Sequence, residues 1–174
     1  MKLNIFMFIL TIPLTIHSKS NRNFCHKRIS GQIYQLTINF DAGVAYELYT
    51  FHDDYTLTVY DNTQNGNNTY TSLSFGDITG QWRCLNKKNE VLVRSVNYNY
   101  PYNSEPNGAI SYNNPVRLTF YNNWKNVRGT FKYADYNLGT NPLDKNNIPI
   151  QTVPTAKLIG TRLDFFPKMN KKYS

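Results

Sequence analysis

The stretch "QIYQLTINF" (residues 32–40) decides the fold class. Four of its apolar side chains, Tyr34, Leu36, Ile38 and Phe40, occupy every second position, and the residues between them are Gln, Thr and Asn. Because successive side chains of a β-strand point to opposite faces, this alternation predicts a strand with one buried and one solvated face. We expect the four apolar side chains to point inward.

The same pattern recurs along the chain, whereas helical periodicity is nearly absent. Runs rich in β-branched and aromatic residues, separated by turn-forming residues, predict strands. They cover about residues 32–40, 44–52, 55–61, 78–85, 91–99, 115–122, 127–136 and 156–165. About eight strands, each with one apolar face, predict an all-β fold, an antiparallel up-and-down β-barrel, because closure leaves no exposed sheet edge. A two-sheet β-sandwich is the alternative. Gly80, Gly129 and Gly160 lie inside strands, where glycine permits close approach of another backbone, and they favour the barrel.

The first residues have the composition of an export signal. Lys2 precedes an apolar run from Ile5 to Ile16, and Ser18 and Ser20 follow it. The run is too short to span a bilayer comfortably, so residues 1–18 are predicted to be a signal peptide, with a buried N-terminal helix as the alternative. Residues 19–166 would then form a secreted, extracellular β-barrel domain without an integral membrane segment. Residues 167–174 would form a basic C-terminal tail.

The two cysteines, Cys25 and Cys84, are predicted to pair, because exported proteins meet an oxidising environment. A zinc site would need about four ligands, and only His26 and His52 remain after export, so we predict no metal site and no cofactor. The motif "NNT" makes Asn67 a potential glycosylation site.

The net charge of +8 is carried by scattered lysines and arginines rather than by one basic block. No nucleic-acid-binding motif is recognisable, so nucleic acid is not a predicted partner. Two long connections, residues 100–115 and 137–154, interrupt the strand pattern, and the second contains Pro142, Pro149 and Pro154. Connections of this length are often functional, and these two could cover a barrel mouth.

Three short motifs carry a resemblance to known proteins. They are an aromatic-x-x-Asp turn at Phe51–Asp54, a Gly-x-Trp strand at Gly80–Trp82, and an Asn-Pro-Leu-Asp loop at Asn141–Asp144. Together with the strand pattern they resemble small secreted lipocalin-like (calycin-type) β-barrels. The architecture also resembles allene-oxide-cyclase-like barrels. The resemblance implies a barrel but no particular ligand.

Within "GDITGQWRC" (residues 76–84), Trp82 shares a face with Gly80 and Cys84, so it either closes one barrel end or lines a cavity. The candidate ligand-binding residues are those expected to point into the barrel. They are Tyr34, Leu36, Phe40, Leu48, Trp82, Tyr98, Phe120, Phe131 and Leu163.

No residue set is specific enough to be assigned as catalytic. His52 lies beside the turn residues Asp53 and Asp54, which is typical of an exposed turn histidine. Glu47 and Arg94 either pair inside the barrel, where buried charges need partners, or face solvent.

Three functional hypotheses follow. The first is a secreted barrel that binds a small apolar or amphipathic molecule in a cavity open at one end, beneath the proline-containing connection. The second is an extracellular interaction module with a core filled by side chains, acting through loops rich in Tyr and Asn. The third is a cofactor-free isomerase or cyclase, which requires His52 or Glu47 to point into the cavity.

Overall fold

The computed structural model describes residues 15–41, 43–65, 74–101 and 107–165. This part of the chain contains one helix, α1 (Thr15–Ile29), and ten strands. The strands are β1 (Ile33–Phe40), β2 (Gly43–Phe51), β3 (Thr56–Asp61), β4 (Ile78–Cys84), β5 (Glu90–Asn99), β6 (Ala109–Tyr121), β7 (Asn126–Phe131), β8 (Tyr133–Asn137), β9 (Gln151–Thr152) and β10 (Ala156–Arg162). Residues 1–14 of the predicted signal peptide, the predicted glycosylation site Asn67 and the predicted tail lie outside the described residues.

Eight of the strands close into an antiparallel β-barrel. Strands β1 to β7 pair in chain order, and β10 joins β7 back to β1. The all-β, up-and-down barrel prediction is therefore confirmed, and the sandwich alternative is wrong. Strands β8 and β9 do not belong to the ring, because β8 pairs with the first half of β6 and β9 with β8.

Two predicted boundaries differ from the structure around β6. This strand begins at Ala109 rather than near residue 115, so part of the first long connection is strand. The predicted strand 127–136 is divided at Lys132 into β7 and β8. Pro115, which has no amide donor, separates the half of β6 that pairs with β8 from the half that pairs with β7.

The barrel is filled by side chains at the end where β1 begins. Tyr34, Leu36 and Ile38 are buried, as the alternation predicted. Tyr34 and Phe51 contact Phe120 edge-on, with ring centroids 5.1 and 6.2 Å away, and Trp124 stacks on Phe120 at 5.1 Å. Edge-to-face and offset aromatic pairs of this kind stabilise a core beyond the area that they bury.

Three strand glycines allow neighbouring strands to approach closely. A Cβ atom on Gly80, Gly129 or Gly160 would lie 2.0–2.3 Å from a backbone carbonyl oxygen of the adjacent strand. Real Cβ atoms essentially never lie so close, so a side chain at these positions would force the strands apart. The predicted role of these glycines is thus confirmed.

Helix α1 covers the filled end of the barrel. Among the side chains described for the helix, residues 22–29, Cys25 and Ile29 are buried and lie one helical turn apart. Cys25 lies at disulfide-bond distance from Cys84, with their Cα atoms 6.1 Å apart. The structure therefore brings the predicted disulfide pair together and attaches the helix to β4. The helix begins before the predicted cleavage point at Ser18. Within the described ranges, no helix is both long enough and apolar enough to cross a membrane.

Candidate functional site

A cavity of about 490 Å³ occupies the barrel mouth opposite α1. It extends from the buried Glu47 to exposed residues such as Gln151 and Thr155, so it connects the interior with the surface. Its described lining residues are Asn39, Phe40, Asp41, Gly43, Val44, Ala45, Glu47, Asp61, Thr63, Phe75, Ile78, Asn97, Asn99, Ser111, Asn113, Phe131, Tyr133, Asp135, Gln151, Val153, Pro154, Thr155 and Ala156. The end of the proline-containing connection thus borders the mouth.

Glu47 is the most deeply buried ionisable group of the cavity. Its side chain is 2% exposed, and its Oε2 atom has no hydrogen-bond partner among the described residues. Burial raises the pKa of Glu47 well above its usual range, and the carboxyl group of Asp61 raises it further. A hydrogen bond with the Tyr49 side chain acts in the opposite direction but does not cancel the shift. These surroundings therefore favour the protonated form of Glu47.

The neighbour Asp61 is positioned by pairing and by its own turn. Strands β2 and β3 place Asp61 directly opposite Glu47. The Asp61 Oδ1 atom accepts hydrogen bonds from the backbone amide of Thr63 at 2.6 Å and from the Thr63 hydroxyl at 2.7 Å. These bonds hold the carboxyl group at the cavity wall.

Asp135 lies in a network of polar side chains on β5, β6 and β8. Its Oδ1 atom accepts hydrogen bonds from the Ser111 hydroxyl and, at 3.4 Å, from the Asn99 amide. The Asn97 amide donates to Asn99 at 3.0 Å, which extends the network. Burial raises the pKa of Asp135, although the bonds from Ser111 and Asn99 lower it in part. Asp135 reaches the cavity because β8 pairs with β6 and places it opposite Ser111.

The rest of the lining is largely apolar. Phe40 contacts Phe131 edge-on at 5.9 Å, and Phe131 lies 5.8 Å from the Tyr133 ring. The small buried residues Ala45 and Ala156 also line the cavity. The cavity therefore has both a carboxyl- and amide-rich part and an aromatic part.

The predicted ligand-binding residues fall into three groups. Phe40 and Phe131 line the cavity. Buried in the filled end of the barrel are Tyr34, Leu36, Trp82 and Phe120. The remaining three lie outside the cavity lining: Leu48, Tyr98 and Leu163.

The inward orientation predicted for Leu48 and Tyr98 is wrong. Leu48 is 38% and Tyr98 60% exposed on the outer face. The reason is the same in both strands: apolar side chains occur on both faces, so alternation alone did not identify the buried one. In β2 the buried face carries Tyr49 and Phe51, and in β5 it carries Asn97.

Leu163 belongs to neither the cavity nor the core cluster. It follows β10 at the filled end, where its backbone amide donates to the Ile33 carbonyl at 2.9 Å, and its side chain is half-buried. In β10 the side chains that are buried are those of Ala156 and Leu158, and none after Leu158 is fully buried.

The proposed interior pair of Glu47 and Arg94 does not form. Arg94 is exposed, and its Nε atom donates to Asn114 at 3.1 Å. Glu47 is thus inside the barrel, and the described cavity lining offers it no basic partner, a combination that neither alternative anticipated.

Trp82 closes the filled end of the barrel. It is 2% exposed, its indole N–H donates to the His52 carbonyl oxygen at 3.1 Å, and His26 stacks on it at 5.4 Å. The His52 ring contacts the Thr58 hydroxyl at 2.9 Å, and neither histidine lines the cavity. Among the residues that the structure describes, no group of three potential metal ligands is close enough to hold an ion.

Fold and cavity together define a closed antiparallel β-barrel that is filled at one end and hollow at the other. Comparison with protein-family models, curated proteins and solved structures finds no match to this chain. The eight-stranded closed barrel is compatible with a lipocalin-like fold.

Proposed function

We propose that this protein is a secreted barrel protein that binds one small amphipathic molecule in the cavity opposite α1. The observation that carries the proposal is the cavity of about 490 Å³ with an aromatic part and a polar part. This volume lies within the range of about 300–1,000 Å³ that is typical of small-molecule sites. Secretion is supported by the apolar N-terminal run and by the Cys25–Cys84 disulfide.

The lining favours an amphipathic ligand over a purely apolar one. A hydrocarbon filling the whole cavity would remove water from Glu47 and Asp135 without replacing its hydrogen bonds, and such desolvation is unfavourable. A ligand with a polar end can satisfy these groups while its apolar end contacts Phe40 and Phe131. Of the apolar and amphipathic molecules that the sequence suggested, the lining thus favours the amphipathic ones.

Ala156 provides a direct test because it is buried at the cavity wall. The same strand carries an exposed apolar residue, Ile159, at which the same substitution serves as a control. We expect tryptophol, a small neutral amphipathic probe, to bind the wild-type protein in isothermal titration calorimetry. Ala156→Trp fills the cavity and should abolish binding, whereas the matched substitution Ile159→Trp should leave binding unchanged. Equal binding by all three proteins would place the probe elsewhere and contradict the proposal.

Secretion has its own test. Amino-terminal sequencing of the exported chain should show Lys19 as its first residue.

A second candidate function is cofactor-free isomerisation. The observation in its favour is that Glu47 lies in the cavity with a raised pKa, as a general acid or base requires. A ligand recovered in two isomeric forms from wild-type protein, and in one form from Glu47→Gln, would support this candidate. A single form from both would support binding alone.

A further inference from the structure

The charge of the cavity is opposite to that of the protein. Asp41, Glu47, Asp61 and Asp135 line it, and none of its described lining residues is Lys, Arg or His, although the chain carries a net charge of +8. An independent observation is that the buried Oε2 atom of Glu47 has no hydrogen-bond partner among the described residues. Buried polar atoms normally have one, so this acceptor is available to a ligand donor.

Building on the proposed function, we propose that the ligand is a small organic cation, such as a protonated amine with an apolar body, whose charged group binds between Glu47 and Asp61. The two carboxyl groups face each other across the β2–β3 pair, at the inner wall of the cavity. An ammonium group offers three N–H donors and a positive charge, and it can donate to the free Oε2 atom of Glu47. The aromatic part of the cavity, at Phe40 and Phe131, would receive the apolar body.

Electrostatics favour this occupant over an anion. Two adjacent carboxyl groups cannot both be ionised at low cost, so the empty cavity keeps a proton on Glu47. A bound cation would replace that proton and allow both groups to be charged. An anion would instead meet carboxyl groups on several sides, without a basic side chain among the described lining residues.

The groups facing Glu47 define how its protonation affects binding. Asp61 faces it from β3, and the Tyr49 side chain lies on its own strand. Asp41 in the β1–β2 turn and Tyr133 and Asp135 on β8 line the same cavity. The lining residues described on β1, β4, β5, β6, β7 and β10 are uncharged. All the charged neighbours are therefore acidic, and amine binding should release a proton from Glu47.

Three probes with the same indole ring separate charge from shape. Tryptamine is a cation, tryptophol is neutral and indole-3-acetate is an anion. We expect calorimetry on the full exported protein at pH 8 to give an affinity for tryptamine at least tenfold higher than for the other two, as a charge-assisted hydrogen bond in a buried site implies. The affinity for tryptamine should also rise between pH 5 and pH 8, because the amine competes with a proton for Glu47, while that for tryptophol stays constant.

The variants assign this preference to the carboxyl pair. Glu47→Gln keeps the size of the side chain and should weaken tryptamine binding at least tenfold, a larger loss than for tryptophol. Asp61→Asn should also weaken tryptamine binding. Asp164→Asn, which removes an exposed carboxyl group at the other end of the barrel, should have no effect. Circular dichroism and thermal melting would show that the variants are folded.

The outcomes distinguish this inference from the proposed function. Equal affinities for tryptamine and tryptophol, or tryptamine binding that is unchanged in Glu47→Gln, would overturn the cation proposal while the cavity remains a binding site. Tighter binding of indole-3-acetate, or Glu47-dependent binding of Ca²⁺ with no binding of the amine, would also overturn it. No binding of any probe at millimolar concentration would contradict both proposals.

Discussion

Replacing Glu47 by Gln should stabilise the ligand-free protein, and increasingly so as the pH rises. In the wild-type protein the buried carboxyl group lies opposite Asp61 and has one oxygen without a partner among the described residues. A glutamine amide at the same place would remove the ionisable group and could donate to the Asp61 carboxylate. The substitution therefore removes an unfavourable carboxyl pair, and because Gln has nearly the same volume as Glu it leaves no additional cavity.

The direction of the pH effect follows from the raised pKa of Glu47. Above about pH 4.3, the usual pKa of a glutamate, the unfolded chain loses this proton while the folded protein keeps it. The folded state then binds more protons than the unfolded state, so wild-type stability falls as pH rises until Glu47 itself ionises in the folded protein. Below about pH 4 both states are protonated and the difference between wild type and variant should be small.

The size of the effect follows from the proton that only the folded protein keeps. Above the usual pKa of glutamate, the difference between wild type and Glu47→Gln should grow by up to about 1.4 kcal/mol per pH unit until Glu47 ionises in the folded protein. Urea denaturation of both proteins between pH 4 and pH 8.5, followed by circular dichroism, measures the difference. Asp164→Asn serves as the control for loss of one exposed carboxyl group. A difference between wild type and Glu47→Gln that is constant with pH, or that shrinks as pH rises, would refute the reasoning.

Three further predictions concern the barrel itself. Reducing the disulfide, or substituting Cys84→Ser, should lower the free energy of unfolding by about 4 kcal/mol, because the bond links residues 59 positions apart. Urea denaturation with and without reductant would measure this change, and a change below about 1 kcal/mol would contradict the prediction. Gly129→Ala should lower the melting temperature far more than Gly76→Ala. The new Cβ atom would lie 2.0 Å from a backbone oxygen at Gly129, but at Gly76 its nearest neighbour would be the Tyr100 hydroxyl, the end of a movable side chain, at 3.2 Å; equal changes would contradict this. Tyr34→Phe should lower the free energy of unfolding by about 1–3 kcal/mol, because the buried Trp124 carbonyl loses the hydrogen bond that the Tyr34 hydroxyl donates at 2.7 Å. An unchanged midpoint of urea denaturation would show that this bond contributes nothing.

Local alternation was sufficient to predict the barrel. In β1 every apolar residue from Tyr34 onward falls on one face, so the strand and its inward side could both be assigned from the sequence. Glycines inside strands indicated the close approaches of neighbouring strands. The cysteine pair could be predicted because only two cysteines are present.

Helix α1 was not predicted because it has little amphipathic pattern. Among its described side chains, the buried ones are Cys25 and Ile29, one turn apart, and most residues of the helix are polar. The helix is held by the disulfide and by packing against the barrel end rather than by a continuous apolar stripe. Such tertiary contacts are not visible in local sequence.

The cavity could be predicted only in part, for a different reason. Glu47 was recognised as a residue that could be buried, but the apolar residues on both faces of β2 concealed which face points inward. Asp61 and Asp135 reach the cavity through the pairing of β3 with β2 and of β8 with β6. Long-range pairing of this kind brings together polar residues that no spacing in the sequence connects.

Native mass spectrometry on the protein purified from its own cells, before and after organic extraction, tests the central claim most directly. We predict one stoichiometric small molecule that is released on extraction, and its absence from Ala156→Trp prepared in the same way. A wild-type protein that carries no such molecule, and whose mass equals that of the mature chain with its disulfide and any glycan, would contradict the claim that this barrel holds a ligand.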